Sequence, residues 1–477
     1  MKRLARTLRR WSGLASLTLL CITMVLSPMP FGSVGLPSIV VWVAVLGVAG
    51  VLASFQRLGS RRAIVLFSLW AFCACWIAVL LLQIWPSPAS DWLDNPIWAE
   101  TAKLLSTPLE PIPSAMRFQP VLSQGPFLLA VLALSCAFVL GAKGAYARSI
   151  FATFAWSGLL YAIFGIVSYL IDPSKILGYD KVAYLAELTA TFYNRNTAAI
   201  YFGCCAVVWS VFLSEAIRRQ APGRLNLRNW RSVLYSELLP PALALLVCLV
   251  AMFMTRSRAG SLASVVGLII ALLGFFHRSL PSRRSLAIAG LAAVVGAGML
   301  IQFLGGGVAE RVSVEGVSDQ GRWQAYLSTW RIIESNPWLG TGLGSFPWVF
   351  PAYRSPLVSA WGVWDRAHNT LLELASEVGV PMAGLLAIGW IAMGVVLAYG
   401  IFVRRRRVGL PAAAFGILVA VTLHTMVDFP LQIPAFSVVF FAVLGAGLTQ
   451  SFRPRSLTGT DRRPVIEKSA ILPELSN

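Results

Sequence analysis

The residues with the clearest chemical potential are a histidine and two arginines that stand near the ends of apolar segments. His368, in RAHNTLLELASEVG, lies in a long polar connection, and its imidazole can accept a proton near neutral pH. Arg258, in TRSRAG, stands between two apolar runs, and Arg322 opens a segment with helical spacing. Because guanidinium groups bind phosphate through paired hydrogen bonds, this set predicts phosphate recognition beside a general base. A purely structural role for His368 is the alternative.

A second set of polar residues occurs close to the first. Arg256 shares TRSRAG with Arg258, and the alternative for both is that their side chains only reach the membrane interface. His424 and Asp428 are four residues apart, so one helical face can hold both, either in a supporting polar role or as a structural pair. The candidate substrate-binding residues are Arg195, Arg256, Arg366, Asn369, His424 and Asp428.

The sequence lacks the usual patterns of metal and nucleotide sites. All seven cysteines fall within apolar runs and form no CxxC pair, which argues against zinc and against a disulfide framework. The string GTGLG, residues 340–344, follows a helical segment rather than a strand, so we interpret it as a tight turn. No Walker, HExxH, GxSxG or calcium-loop motif is present. We therefore expect neither a metal nor another cofactor.

The composition indicates which kind of protein must position these residues. Hydrophobic residues make up 57% and charged residues 12%, and the mean hydropathy is +0.72, whereas soluble domains are about 45–50% apolar and about 25% charged. A span needs roughly 20 apolar residues. We predict an all-α polytopic membrane protein with about 12 transmembrane helices, near 11–29, 35–55, 63–85, 126–142, 149–171, 197–217, 233–254, 259–276, 285–304, 379–403, 409–427 and 431–450.

The distribution of charge orients these predicted spans. The first run follows a basic stretch but has no small-x-small cleavage site, so we interpret it as a retained anchor with a cytoplasmic N-terminus. Alternation from there places 27 of the 39 Lys and Arg residues in cytoplasmic segments, as the positive-inside rule requires. The net charge of +19 is therefore explained by the orientation of the protein in the membrane. We expect no nucleic-acid partner.

Two external connections are too long to be simple turns, residues 86–125 and 305–378. In the second, RWQAYLSTWRIIES (322–335) places Trp323, Tyr326, Leu327, Trp330 and Ile333 at helical spacing, which predicts an amphipathic helix at the membrane surface. Residues 91–105 form a similar candidate, and simple anchoring of the loops is the alternative for both. The predicted domains are 1–304 (spans 1–9), 305–378 (the catalytic loop), 379–452 (spans 10–12) and 453–477 (a disordered cytoplasmic tail).

Together these motifs resemble the O-antigen ligase and polymerase superfamily of bacterial membrane glycosyltransferases. The resemblance lies in the second half of the chain and rests on TFYNRNTAA (191–199), TRSRAG (255–260), GRWQAYLSTWRIIESNPWLGTGLGSF (321–346), AHNTLLELASEVGVPMAG (367–384) and, less specifically, HTMVDFPLQIP (424–434). It implies a GT-C-like fold in the bacterial inner membrane, with the active site facing the periplasm. It also implies transfer of a glycan from undecaprenyl diphosphate to a lipid A-core or a growing polysaccharide, without a metal.

The resemblance also assigns roles to individual residues. His368 would remove the proton from the acceptor hydroxyl, and Arg258 and Arg322 would stabilise the departing diphosphate. The short C-terminal tail favours a ligase or polymerase over a protein-glycosylating enzyme. Two other classes remain open: a polysaccharide-related transporter or flippase, and a structural membrane protein whose loop helices dock a partner.

Overall fold

The computed structural model describes residues 2–86, 93–220, 233–279, 320–358, 364–404 and 408–452, which are almost entirely helical. The first half contains α1 (Lys2–Leu26), α2 (Leu36–Ser54), α3 (Ser60–Ile84), α4 (Ile97–Leu105), α5 (Gln119–Leu122), α6 (Gly125–Leu140) and α7 (Gly144–Ile171). The second half contains α8 (Arg195–Arg219), α9 (Leu239–Met254), α10 (Arg258–Phe276), α11 (Gln320–Ser335), α12 (Phe346–Tyr353), α13 (Thr370–Val403), α14 (Gly409–Thr425) and α15 (Pro434–Ser451). Single turns of other helix types occupy Phe31–Ser33, Leu234–Leu238 and Pro430–Gln432.

The predicted architecture of an all-α polytopic membrane protein is confirmed. Nine helical segments in the described part of the chain are long and apolar enough to cross a membrane, and they match predicted spans 2–8, 10 and 12. The eleventh run forms α14, which is apolar but has 17 residues. The first run lies in α1, whose N-terminal half is basic. The predicted span 285–304 and the predicted tail 453–477 lie outside the described residues, so the count of twelve stays a prediction.

One small β-hairpin was not predicted. Strands β1 (Lys175–Ile176) and β2 (Tyr179–Asp180) pair antiparallel. Leu177 and Gly178 form the turn between them, and both have positive φ angles of 51° and 86°. The turn was missed because leucine is rare at such a position, where Asn-Gly is the usual combination.

The core is centred on α8 and α15. In their most apolar stretches 89% and 94% of the residues are buried, so both helices are surrounded by other helices. Helices α10 and α14 approach each other closely at two glycines. A Cβ at Gly267 would lie 2.5 Å from the carbonyl oxygen of Gly416, a contact that only glycine permits. This contact joins the middle of α10 to the middle of α14.

Contacts between helix ends show that the connections lie at two ends of the helices, which we call the basic end and the site end. At one end Gln56 donates to the carbonyl of Arg9 at 2.8 Å, and Arg148 pairs with Glu215 at 2.5 Å. At the other end Leu188 N donates to the carbonyl of Met254 at 3.2 Å. The basic end carries Arg3, Arg6, Arg9, Arg10, Arg57, Arg61, Arg62, Lys143, Arg148, Arg218, Arg219, Arg278 and Arg404. The site end comprises the connections 27–35, 85–86, 93–96, 106–124, 172–194, 255–257, 336–345, 354–358, 364–369 and 426–433.

Helix α13 is divided by a kink at Gly379. This residue has φ +80°, and a Cβ there would lie 2.1 Å from the carbonyl oxygen of Trp338. Val380 N then donates to the carbonyl of Pro337 at 2.8 Å. The part after the kink coincides with the predicted span 379–403. The part before it is an additional helical segment that carries two buried carboxylates.

Candidate active site

The candidate site is built around the turn between α14 and α15, which we call the hub (residues 426–429). Arg322, in the first turn of α11, donates to the carbonyl of Val427 at 3.4 Å. Tyr326, one turn later, donates to the carbonyl of Met426 at 3.3 Å. Asn369, just before α13, donates to the same carbonyl at 3.1 Å. These contacts join α11 and the start of α13 to one turn.

His368 lies directly on this hub. Its half-buried ring makes edge contacts with Trp364 at 5.5 Å and with Phe429 at 5.1 Å between ring centroids. Its carbonyl accepts a hydrogen bond of 3.1 Å from the Tyr326 hydroxyl. The backbone of His368 has φ +54°, an uncommon conformation outside glycine that tends to occur at functional sites. The imidazole is therefore held between two aromatic rings, and the residue as a whole is half-buried.

Asn369 fixes the peptide that follows His368. Its side-chain oxygen accepts hydrogen bonds of 3.1 Å from the backbone N–H groups of Leu371 and Leu372, which makes it the N-cap of α13. Its side-chain nitrogen donates to Met426. The side-chain amide of Asn369, which was predicted to bind substrate, thus forms hydrogen bonds with the backbone of α13 and of the hub.

A buried carboxylate fixes the peptide that precedes His368. Glu373, 1% exposed, accepts from Arg366 at 3.1 Å and from the backbone N–H of Ala367 at 2.7 Å. Burial lowers the pKa of Arg366, but the carboxylates of Glu373, Glu377 and Asp365 together more than offset this, so the pKa is raised overall. Arg366 is therefore a member of an ion pair. Glu373 was not predicted from the sequence, although a pair of acids four residues apart in the apolar string LLELASEVG was a signal.

The second acid of that string, Glu377, holds the GTGLG turn. Its side chain accepts from the N–H of Phe346 at 3.1 Å, and its carbonyl accepts from the N–H of Gly342 at 3.0 Å. Gly342 has φ +102°, and a Cβ there would lie 2.0 Å from Oγ of Ser114. The prediction of a tight turn is confirmed. Ser114 lies between α4 and α5, so this part of the chain packs against the turn.

His424 and Asp428 are both buried at the hub, but the predicted shared helical face is wrong. Helix α14 ends at Thr425, so Asp428 lies beyond it. The chain turns there because Phe429 precedes Pro430, which disfavours helical backbone. Asp428 instead accepts a hydrogen bond from the side chain of Asn196 in α8. Within the described residues no hydrogen bond reaches the ring nitrogens of His424.

Arg195 lies near the hub but is engaged in an ion pair. Its guanidinium lies 2.7 Å from the carboxylate of Glu187 and 5.1 Å from the ring centroid of Tyr184. Burial raises the pKa of Tyr184, and Asp428 raises it further, whereas Arg195 and Arg322 lower it. Tyr184 therefore lies within electrostatic range of both arginines and of the hub. Glu187 and Tyr184 were not singled out from the sequence.

Arg256 lies in the short connection between α9 and α10, Arg258 is the first residue of α10, and both are exposed. Ser257 caps α10 by accepting from the N–H of Gly260 at 3.3 Å. A Cβ at Gly260 would lie 3.4 Å from the carbonyl oxygen of Asn196, so α10 begins next to the start of α8. No hydrogen bond or ion pair to either guanidinium is formed by the part of the chain that the structure describes.

The structure brings the predicted residues together to different degrees. His368, Arg322, Asn369 and Asp428 share the hub, and Asp428 connects to α8 through Asn196. Arg258 lies one helix start away, but among the described residues no hydrogen bond or ion pair joins it to His368 or Arg322. Arg195 and Arg366 face acidic partners instead of open space.

The direction of the helices adds positive potential to this region. Helices α8, α10, α11 and α13 all begin here, so their N-termini lie at the site end. Because a helix N-terminus behaves as roughly half a positive charge, these starts reinforce the guanidinium groups. Within the described residues no group of three or more His, Cys, Asp or Glu side chains forms a potential metal site. The arrangement is suited to binding an oxyanion beside an imidazole.

Comparison with known families agrees with this description. Residues 243–388 match the family model Wzy_C, described as O-antigen ligase, and the match confirms the resemblance inferred from the motifs. The matched segment contains Arg258, Arg322 and His368, whereas Arg195 and the hub lie outside it. No curated protein matches the chain.

Proposed function

We propose that this membrane protein, whose central segment is similar to O-antigen ligases, transfers a glycan from an undecaprenyl-diphosphate carrier to an acceptor hydroxyl. One observation carries the proposal: the hub holds the imidazole of His368 and the guanidinium of Arg322 on a single turn. Four helix N-termini lie at the same end. By the positive-inside rule the basic end would be cytoplasmic, so the site would face the periplasm.

The proposed reaction uses the imidazole as a general base. The acceptor hydroxyl oxygen attacks the anomeric carbon of the donor while the imidazole of His368 takes its proton. The bond between the anomeric carbon and the phosphate oxygen breaks, and its electron pair leaves with the diphosphate. The proton later passes from His368 to solvent, and the base is restored.

The arginines would stabilise the negative charge that develops on the leaving group. Arg322 is already fixed by Val427, and Arg258 projects from an adjacent helix start. Donors that are in place before the reaction stabilise the transition state most effectively. The negative charge is thus met by guanidinium and N–H groups, and we propose a reaction that needs no metal.

The ion pair between Arg366 and the buried carboxylate of Glu373 would serve a positioning role. Glu373 binds the backbone at Ala367 and the side chain of Arg366, and Asn369 binds the hub. His368 therefore lies between two anchored neighbours. This support would limit the movement of the base when the acceptor binds.

A reconstituted transfer assay tests the proposal. The full-length protein would receive an undecaprenyl-diphosphate-linked glycan with either a lipid A-core or a second lipid-linked chain, and the acceptor that becomes longer would distinguish ligase from polymerase. We expect His368→Gln to lower the turnover rate by roughly 10²–10⁴-fold, as loss of a general base does. His277→Gln at the basic end, the matched control, should retain the wild-type rate.

Two outcomes would contradict the proposal. One is full transfer by a folded His368→Gln protein, which would exclude this residue as the base. The other is movement of the donor across proteoliposomes without any transfer to either acceptor. That result would favour the transporter alternative.

A further inference from the structure

The basic end contains a cavity that the proposed transfer reaction does not use. Its volume is about 270 Å³. Its walls come from the N-terminal part of α1, the turn after α2 and the connection between α6 and α7. Among the described residues, five cations line it and no acidic residue does: Arg6, Arg9, Arg10, Arg57 and Lys143.

A hydrogen-bonded glutamine holds these walls together. The side-chain nitrogen of Gln56 donates to the carbonyl of Arg9 at 2.8 Å and to the hydroxyl of Ser12 at 3.2 Å. Its side-chain oxygen accepts from Nζ of Lys143 at 3.1 Å. A Cβ at Gly13 would lie 2.8 Å from the Gln56 nitrogen, so the missing side chain lets Gln56 lie against α1. The three walls are therefore fixed relative to one another.

The clustering of charge in this cavity is more specific than membrane orientation requires. The positive-inside rule asks only that cations occupy this end, and exposed cations outside the cavity, such as Arg3 and Arg61, satisfy it equally. Cations that surround one cavity repel each other unless an anion binds between them. The nearby acid of α8, Glu215, already pairs with Arg148. A ligand with negative charge is the natural complement.

The position of the cavity along α1 indicates the source of that charge. Trp11 follows Arg10 directly and is 65% exposed, and tryptophan is enriched at the level of the lipid headgroups. Leu4 and Leu8 are also exposed on the face of α1 that carries Trp11. The arginines beside Trp11 are thus at headgroup depth.

We propose that this cavity binds the phosphate-bearing headgroup of an anionic membrane lipid. Basic pockets between transmembrane helices on the cytoplasmic side are suited to such headgroups, and several Lys and Arg residues act together in them. The phosphate would lie between the guanidinium groups of α1 and Lys143. The site is at the opposite end of the molecule from His368, so it is independent of the catalytic proposal.

Lipid binding by the full-length protein in detergent tests this site. Native mass spectrometry would measure how much phosphatidylglycerol or phosphatidylcholine stays bound, and we expect a preference for phosphatidylglycerol. The double variant Arg6→Gln/Arg10→Gln should lower phosphatidylglycerol binding roughly tenfold, since each cation contributes to headgroup attraction. The matched control Arg3→Gln/Arg61→Gln removes two exposed charges from the same end and should lower binding less than about twofold.

The other outcomes distinguish a lipid headgroup from a free anion and from a general effect of charge. Equal losses in the two double variants, or no preference for phosphatidylglycerol, would overturn the site. Inorganic phosphate that displaces the lipid at roughly millimolar concentration would show a free-anion site and overturn the headgroup assignment. If the α1 double variant fails to fold, Lys143→Gln removes one lining charge and should still lower lipid binding about threefold to fivefold. An unchanged affinity in that variant would contradict the proposal.

Discussion

The hydroxyl of Tyr326 donates a hydrogen bond of 3.1 Å to the backbone carbonyl of His368, 42 positions further along the chain. The same hydroxyl lies 3.3 Å from the carbonyl of Met426. A single side chain of α11 therefore connects the proposed base to the hub. Because the His368 backbone has φ +54°, its ring direction depends on contacts of this kind.

Tyr326→Phe tests that connection. The variant keeps the ring and removes only the hydroxyl, so we expect a transfer rate lower by about tenfold with an unchanged midpoint of the pH–rate profile. The unchanged midpoint would show that the imidazole keeps its environment and loses only its orientation. Tyr353→Phe is the control, since no hydrogen bond to its hydroxyl is formed within the described residues. Equal losses in both variants would exclude the positioning role.

The ion pair of Arg366 and Glu373 provides a prediction about stability. Glu373→Gln leaves Arg366 without its charged partner and should lower the free energy of unfolding by about 1–3 kcal/mol, measured as thermal unfolding in detergent. The double variant Arg366→Gln/Glu373→Gln should lose less than the two single effects combined, because the residues are coupled. Strict additivity would show that the pair contributes nothing. Glu334→Gln changes an exposed acid of α11 and is the control.

Much of the fold follows from local patterns in the sequence. Long apolar runs predict spans wherever they occur, and eleven of the twelve predicted runs fall on helices of the described chain. The glycines at 340, 342 and 344 all have positive φ, as expected for a tight turn. Helix α11 was also predicted from its spacing. These features depend on neighbouring residues, which is why the sequence alone reveals them.

The side of α11 that packs against the rest of the protein was not predicted from the sequence. The apolar spacing predicted an amphipathic helix at the membrane surface whose apolar face carries Trp323, Tyr326, Leu327, Trp330 and Ile333. Trp323, Leu327 and Trp330 are exposed as a surface helix requires, whereas Ile333 is buried and the helix packs through Ala325 and Ile332. A membrane protein has apolar surroundings as well as an apolar core, so periodicity does not distinguish protein-facing from outward-facing residues.

The polar network at the hub was missed for a different reason. Asn196 and Asp428 are 232 positions apart, and each stands in a local sequence that gives no sign of its partner. Glu373 pairs with Arg366, and Glu187 pairs with Arg195. Neither ion pair was predicted from the sequence. The sequence predicted which arginines lie near the site, but not which of them are already paired.

The GTGLG turn provides a prediction about backbone strain. Gly342→Ala places a Cβ 2.0 Å from Oγ of Ser114 at a residue with φ +102°, so the turn or the segment around Ser114 must move. We expect a loss of at least about 2 kcal/mol of stability, measured by thermal unfolding. Gly389→Ala in α13, where a Cβ meets nothing within 4 Å, should be neutral or stabilising. If both variants unfold at the same temperature, the turn is not strained by a side chain.

Arg258 allows catalysis to be separated from stability. Its guanidinium is exposed and has no hydrogen bond or ion pair among the described residues, so Arg258→Gln should change the free energy of unfolding by no more than about 0.5 kcal/mol. If the residue stabilises the departing diphosphate, kcat should nevertheless decrease by roughly 10²–10³-fold while KM changes little. Arg331→Gln removes an equally exposed charge from α11 and should leave kcat unchanged. A decrease confined to KM would instead assign Arg258 to donor binding, and an unaltered kcat/KM would remove it from the site.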